Sequence, residues 1–453
     1  MDYRQFIKSK SQRDNNSGFD PVWTPDFLYD FQKELTEWSI VKGRSALFED
    51  CGLGKTPQQL VWAENVVRKT NENVLILTPL AVARQTIKEG EKFGIKCFLS
   101  NDGQSKGKIT VTNYEKLHFF NPNDYKGVVC DESSILKNFN GMRKSAITEF
   151  LRTVPYRLLC TATASPNDYP ELGTSSEALG QLGYTDMLTR FFKNNNNTVS
   201  TSRYHGKQQE WRLKPHATMS FWQWISSWAR AIRKPSDLGY DDENFILPPL
   251  ITNNVIIDNT QPLPGELFVR PAFGLNEQRE ELRMTLTQRC EKAADLVYNN
   301  GVAVIWCNLN AEGDLLQKII PDAVQVSGSD SDDKKNDKLV DFTDENIRVL
   351  VIKPKIGAFG LNWQHCSHTV FFPTHSFEQY YQAVRRCWRF GQKNPVTVDI
   401  VTTGGGLTVL ENLQNKAKQA ALMFENLVKV MNNSLTIRSD LEYTEKMEAP
   451  KWL

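Results

Sequence analysis

Apolar residues in this chain gather in short runs, each closed by a polar or glycine-containing turn and followed by a stretch with apolar positions at helical spacing. Asn73-Val74-Leu75-Ile76-Leu77-Thr78-Pro79 is one such run, and Ala81-Val82-Ala83-Arg84-Gln85 opens the helical pattern after it. Lys108-Ile109-Thr110-Val111-Thr112, Gly127-Val128-Val129-Cys130-Asp131-Glu132 and Tyr156-Arg157-Leu158-Leu159-Cys160 repeat the theme. Far downstream it returns, in Gly301-Val302-Ala303-Val304-Ile305-Trp306-Cys307, then Val324-Gln325-Val326 and Arg348-Val349-Leu350-Val351-Ile352. Continuous β-branched runs alternating with helices predict α/β units around largely parallel sheets, buried on both faces. The pattern occurs twice, with a different stretch between.

Those changes of pattern predict the organisation. Residues 1–20 are polar and aperiodic, a loose lead-in; 21–182 form a first α/β lobe; 183–250 form a helical, basic insertion; 251–290 are a connector marked by nearby prolines. Residues 291–440 form a second lobe that ends in a long helix, and 441–453 a charged, loose tail. That final helix follows Gly404-Gly405-Gly406 and carries Leu410, Leu413, Ala417, Ala420, Phe424, Leu427 and Met431 on one stripe, which predicts docking on the second lobe. The insertion mixes a tryptophan-rich helix (Trp222, Trp224, Trp228), expected to pack on the first lobe, with Arg203, Lys207 and Arg212, expected to form a loop facing nucleic acid.

Composition narrows the classes. The 453 residues are 40% hydrophobic, ample for buried cores. Lys and Arg number 54 against 53 Asp and Glu, a net charge of +1, so nucleic acid must be bound by a local cleft and not by a global basic field. The eight cysteines contain no Cys-x-x-Cys pair and suit a reducing compartment. Without an apolar leader or a membrane-length run, a cytoplasmic protein with no membrane partner is expected. His365, Cys366, His368 and His375 are close in sequence, but their spacing fits no common zinc pattern, so no structural zinc is expected.

The candidate chemistry starts at Asp50-Cys51-Gly52-Leu53-Gly54-Lys55-Thr56. An apolar run leads into glycines and then a helical pattern, so that backbone N–H groups at a helix start can face a phosphate. Lys55 would meet the β/γ-phosphates of ATP and the Thr56 hydroxyl would hold Mg²⁺. Asp131 and Glu132 end a neighbouring strand: the first suits Mg²⁺ and the second a water-activating base. The hydroxyls of Thr161 and Thr163 follow another strand and can bond a catalytic carboxylate, coupling it to the phosphate state. Upstream, the carboxamide of Gln32 can pair with both edges of adenine. Arg386 and Arg389, three apart, are expected on one helix face; alone such a pair reads as a solvated basic face, and its role as permanently charged forks for γ-phosphate oxygens is what the motif VI resemblance named below implies.

With these pieces in order, the chain resembles superfamily 2 helicase-type motors, and within them the Swi/Snf-type DNA translocases. The likeness runs from about Leu28 to Ala421. The Gly-Leu-Gly-Lys-Thr stretch resembles motif I, Asp131-Glu132-Ser133-Ser134 motif II, Thr161-Ala162-Thr163 motif III, Lys355-Ile356-Gly357-Ala358-Phe359-Gly360-Leu361-Asn362 motif V and Gln382-Ala383-Val384-Arg385-Arg386-Cys387-Trp388-Arg389 motif VI. Ser133-Ser134 depart from the usual Ala-His, which bears on coupling more than on hydrolysis. The resemblance implies two RecA-like lobes with ATP and Mg²⁺ in the cleft. Gln32, Gly52, Gly54, Lys55, Thr56, Gly360 and Gln382 would bind nucleotide. Phosphate contacts of low sequence specificity would come from around Pro79, Leu80, Thr112, Asn113, Tyr114, Ser327, Gly328 and Gly357. Three activities are open: a double-stranded-DNA translocase, a strand-separating helicase acting on single-stranded or forked DNA, and an ATP-gated DNA-binding module. The compact chain is similar to phage or prophage members of the group, which implies a bacterial host cytoplasm, a role in replication or recombination, and a separate nuclease as a possible partner.

Overall fold

The computed structural model describes residues 16–80, 82–137, 141–165, 168–194, 211–258, 275–298, 301–357 and 362–437. Two parallel sheets, each flanked by helices, form two lobes. The first sheet contains β1 (Arg44–Glu49), β2 (Asn73–Thr78), β3 (Cys97–Leu99), β4 (Ile109–Asn113), β5 (Tyr125–Asp131) and β6 (Tyr156–Thr161). A small antiparallel pair follows, β7 (Phe192–Asn194) and β8 (Trp211–Leu213). Then β9 (Ala229–Ile232) joins the first sheet, whose order is β3-β4-β2-β5-β6-β1-β9. The second sheet is built from β10 (Leu250–Ile257), β11 (Ala303–Trp306), β12 (Ala323–Val326), β13 (Val349–Ile352), β14 (His368–Phe371) and β15 (Val396–Thr403), in the order β10-β15-β14-β11-β13-β12.

The central strands are apolar because helices cover both faces: Val74 to Leu77, Val128 to Cys130 and Val349 to Ile352 are all fully buried. The runs that predicted strands occupy these positions. Several short or edge strands escaped the pattern, and β9 and β10 change the boundaries. β9 is four residues long and lies directly behind the tryptophan-rich helix Thr218–Trp228, so too little sequence separates helix from strand for a period to register. Phe48 and Trp228 meet edge to face, with ring centroids 6.1 Å apart. Hence the 183–250 stretch completes the first lobe's sheet in addition to contributing helices. β10 lies in the stretch expected as connector, but pairs with β15 from Leu250↔Val396 to Ile257↔Thr403. It is an edge strand with much of its surface exposed, and so lacks the buried-strand signature.

The final helix, Leu407–Ile437, corrects the expectation that it docks on the second lobe alone. Its first part does so, burying Leu410 and Leu413 in that lobe's core. Farther along, Met423, Phe424, Leu427, Val430 and Met431 belong to the core of the first lobe. There Ala231 N–H meets Met431 Sδ at 3.0 Å, and Arg233 Nη2 donates to Ala421 O at 2.8 Å. One apolar stripe serves two partners because a helix of 31 residues spans about 46 Å, more than one lobe's flank. Among the described residues no helix is long and apolar enough to cross a membrane.

Candidate nucleotide cleft

In the first sheet β5, β6 and β1 are adjacent, so the loops leaving their C-terminal ends lie side by side. Those ends carry Asp131, Thr161 and the phosphate-loop sequence. Gly52 and Gly54 adopt φ of 93° and 79°, the left-handed region that glycine enters without a Cβ clash. Gly54 caps the helix Lys55–Thr70, leaving that helix's first N–H groups aimed into the cleft. Lys55 Nζ folds back to the carbonyls of Glu49 and Asp50, at 2.9 and 3.1 Å. Thr56 is half-buried at the same turn.

The acids are held by specific partners. Gln59 Nε2 donates to Asp131 Oδ1 at 2.7 Å, and the Tyr114 hydroxyl donates to the Asp131 carbonyl at 2.5 Å. Burial, and then the charge of Glu132, push the Asp131 carboxyl up to about 7. Glu132 has a φ of 49°, unusual for a residue with a side chain, and its carboxylate accepts the Thr161 hydroxyl at 3.3 Å. Thr163 does not reach it; its N–H donates to Thr161 Oγ1, and its own hydroxyl is buried without a partner among the described residues. Around Lys55 burial opposes the charge, yet Cys51, Glu132, Glu49 and Asp131 together raise its pKa.

Gln32 lies beside the loop, with a geometry already committed to protein: Oε1 accepts the Tyr29 N–H at 3.0 Å and Nε2 donates to the Leu53 carbonyl at 2.7 Å. One further N–H and one lone pair are left for an adenine edge.

The second lobe supplies the helix Phe377–Cys387. Its spacing sets Glu378, Tyr381, Gln382, Arg385 and Arg386 toward one side. Glu378 pairs with Lys137, which follows β5. Gln382 is fully buried, and neither amide atom has a hydrogen-bond partner among the described residues. Arg386 is 6% exposed and faces the first lobe's acids: burial lowers its pKa, while Cys51, Glu132 and Asp131 oppose that shift. The expectation that Arg386 and Arg389 share a helix face is overturned, since the helix ends at Cys387. Arg389 follows the turn and hydrogen-bonds Asn362 Oδ1. Burial, and then Arg386, push its pKa down to about 10.

The residues expected at nucleic acid divide. Leu80 is 56% exposed and Pro79 half-buried at the end of β2, while Ser327, Gly328 and Arg212 reach the surface. Thr112, Asn113 and Tyr114 are buried, and their side chains are not offered to a phosphate. Asn113 instead caps the following turn through the Lys116 N–H, at 3.2 Å. Tyr114 braces the strand end that carries Asp131. Gly357 is also buried, against Ile352 and Trp306. Gly360, Arg203 and Lys207 lie outside the described residues.

Sequence reading missed Gln59, Asp50, Tyr381 and Arg385. Tyr381, just before motif VI, and Arg385 within it are four residues apart, but only the structure shows that both turn toward Asp50.

The arrangement accommodates a magnesium nucleotide. A buried carboxyl pushed up to about 7 beside a glycine cradle, with a lysine whose hydrogen bonds among the described residues go to the Glu49 and Asp50 carbonyls, is a set of groups that a bound cation and phosphate would relieve.

Comparison with known proteins finds a match within the second lobe. Residues 287–391 match the helicase conserved C-terminal domain. The chain is 36% identical over 150 residues to the bifunctional helicase and thymine dioxygenase JBP2 of Leishmania tarentolae, and likewise to those of Leishmania infantum and Leishmania major. The matched stretch is 33% of this chain and 12% of each of those proteins. Among solved structures it is similar to the Sulfolobus solfataricus SWI2/SNF2 ATPase core in complex with dsDNA, at 16% identity and a TM-score of 0.42, covering 94% of this chain and 99% of that one.

Proposed function

We propose that this chain, a protein of the superfamily 2 helicase type with a helicase conserved C-terminal domain at 287–391, is a DNA-dependent ATPase motor that moves along duplex DNA. The observation that carries the reading is the division of the cleft. Lys55, Asp131 and Glu132 belong to one lobe, while Arg386 reaches toward those acids from the other.

In this reading the loop 52–56 and Lys55 hold the β- and γ-phosphates, and Thr56 and Asp131 hold Mg²⁺. That ion would neutralise charge on the phosphate oxygens. Glu132 orients a water and takes its proton, with Thr161 fixing the carboxylate. Arg386 stabilises charge on the transferring group, with Arg389 beside it, and Gln382 completes the nucleotide contacts. Gln32 reads adenine with its remaining donor and acceptor. Because the arginines and the base come from different lobes, hydrolysis requires closure, and a strand held across both lobes can be stepped. Leu80 with Pro79 on one lobe, and Ser327 with Gly328 on the other, are the proposed backbone contacts, with Arg212 a further cation.

Swi/Snf-like spelling of motifs I, II, V and VI favours duplex translocation over strand separation. Moreover, the described part of the 183–250 stretch, the candidate wedge, is committed to the first lobe through β9 and buried Trp222 and Trp228. The proposed setting is phage-type replication or recombination in a bacterial cytoplasm, beside a separate nuclease.

The test is the ATPase rate alone and with duplex, single-stranded or forked DNA or RNA, with Glu132→Gln as control. Stimulation by plain duplex, lost in the variant, is expected. Stimulation mainly by single strands or forks would replace the translocase with an unwinding helicase, and negligible hydrolysis throughout would leave an ATP-gated binding module.

A further inference from the structure

The phosphate loop is gripped from the opposite lobe by an arginine that the nucleotide chemistry above does not use. Arg385 Nη2 lies 2.7 Å from Asp50 Oδ2 and donates to the Cys51 carbonyl at 2.9 Å. The Tyr381 hydroxyl, one helical turn away, donates to Asp50 Oδ1. That same oxygen accepts the Cys51 N–H at 2.6 Å. The Arg385 side chain is 1% exposed and that of Asp50 14%. The guanidinium stacks at 4.8 Å over Trp388, which donates its own indole N–H to the Pro248 carbonyl at 2.7 Å. Next to this contact Phe390 covers Gly52 so closely that a Cβ there would lie 2.6 Å from the ring.

We propose that Arg385 is a positioning residue: through Asp50 and the Cys51 carbonyl it docks the second lobe onto the root of the phosphate loop in a fixed register, and so delivers its neighbour Arg386 to Glu132. This rests on the reading of the cleft as an ATPase site. The geometry favours a docking role over a direct phosphate role. Nη2 is divided between two protein oxygens of the loop, and Asp50 is bonded from both lobes at once. An ion pair for stability alone would satisfy its charges locally, as Arg289 and Glu312 do at 2.6 Å within the second lobe. In Arg385, Nε and Nη1 have no hydrogen-bond partner among the described residues, so burial there is poorly compensated and the pair specifies a pose more than it stabilises a fold.

The test uses the full chain with Lys69→Cys and Lys318→Cys as labelling sites on the exposed surfaces of the two lobes; all eight native cysteines are buried. Energy transfer between the labels reports interlobe separation without nucleotide and with Mg²⁺ and a non-hydrolysable ATP analogue. Arg385→Gln is expected to broaden the separation in both conditions and to lower kcat about tenfold, with KM for ATP changed by less than about twofold, because binding to the first lobe is preserved. Asp50→Asn, a smaller perturbation, should do the same. The double variant should be no worse than the more affected single one, and Arg385→Lys should recover part of the loss. Unchanged separation in Arg385→Gln, or losses that multiply in the double variant, would overturn the proposal. Should the unmodified chain hydrolyse no ATP, the ATPase reading fails, while the energy-transfer measurement still decides the docking contact.

Discussion

The two sides of the cleft carry unfavourable charge of opposite sign. On the first lobe, burial holds the carboxyls of Asp131 and Glu49 up at about 7, with Glu132 adding to the effect on Asp131. On the second, burial lowers Arg386, and burial with repulsion from Arg386 brings Arg389 down to about 10. Elsewhere in the second lobe a buried charge is answered at once: Arg289 meets Glu312 at 2.6 Å and also donates to the Thr285 hydroxyl and the Leu282 carbonyl. In the cleft burial instead shifts the acids up and the arginines down, the pattern that the proposed ligand, a cation on the acid side and phosphate on the arginine side, would relieve.

The contrast is broken most strongly from the arginine side. Arg386→Ala should lower DNA-stimulated turnover by about a thousandfold, as expected of a cation that acts on transition-state charge. Arg386→Lys should restore little, because a point charge lacks the planar fork. Single-turnover hydrolysis beside equilibrium binding of labelled ATP separates the step from affinity; if binding falls as far as turnover, Arg386 is a ground-state contact. From the acid side, Asp131→Asn should reduce magnesium-dependent turnover on the order of a hundredfold while raising the melting temperature without nucleotide at pH 8. The sign follows from the raised carboxyl: above about 7 folding must bury a charge there, and asparagine removes it. A lower melting temperature in that variant would mean that the bond from Gln59 outweighs the desolvation.

A smaller effect tests the other connection between lobes. Leu427 is 1% exposed in the first lobe's core, although its helix starts on the second. Leu427→Ala should cost about 3 kcal/mol of stability and loosen the first lobe selectively, with hydrogen exchange rising around β9. Protection lost equally around β14 would show that the helix stabilises both lobes as one unit. Leu413→Ala, buried in the second lobe's core, is the matching control.

How far the fold was legible depended on whether an element's period belonged to one environment. Buried central strands such as β2, β5 and β13 announced themselves because both faces are covered. β10, largely exposed at a sheet edge, had no such signature, and β9 was too short and too close to a tryptophan-rich helix. In the final helix the apolar stripe was read correctly, but a period cannot say that its two ends face different lobes. The site divided similarly. Lys55, Asp131, Glu132 and Arg386 were named because their chemistry sits at strand and helix ends with recognisable spacing. The Tyr114 hydroxyl supports the Asp131 carbonyl, a contact not foreseen because a strand-end tyrosine carries no sign of which way its ring turns. Arg389 was placed one turn too far along a helix that stops at Cys387.

The subtlest test of the acid side is pH. Glu49 ends β1, fully buried, with Gln58 Nε2 on one carboxylate oxygen at 2.8 Å and no partner for the other among the described residues. Burial raises its pKa from 4.5 to about 7, and Lys55 and Gln58 offset only part of this. The folded state therefore holds a proton that the unfolded chain has released between those values. Stability from this group is complete below about 4.5 and is lost as pH rises through about 7. Without nucleotide, the melting temperature should fall between pH 5.5 and pH 8, by on the order of 5 °C. Glu49→Gln keeps the shape and the neutral form at every pH, so its profile should be flatter, and the two curves should diverge most at the alkaline end. Asp131 contributes in the same direction and should leave a residual slope in Glu49→Gln, which the Asp131→Asn background removes. Parallel profiles for the parent and Glu49→Gln would mean that Lys55 keeps Glu49 ionised in the fold, and that the acid side is better matched than its burial implies.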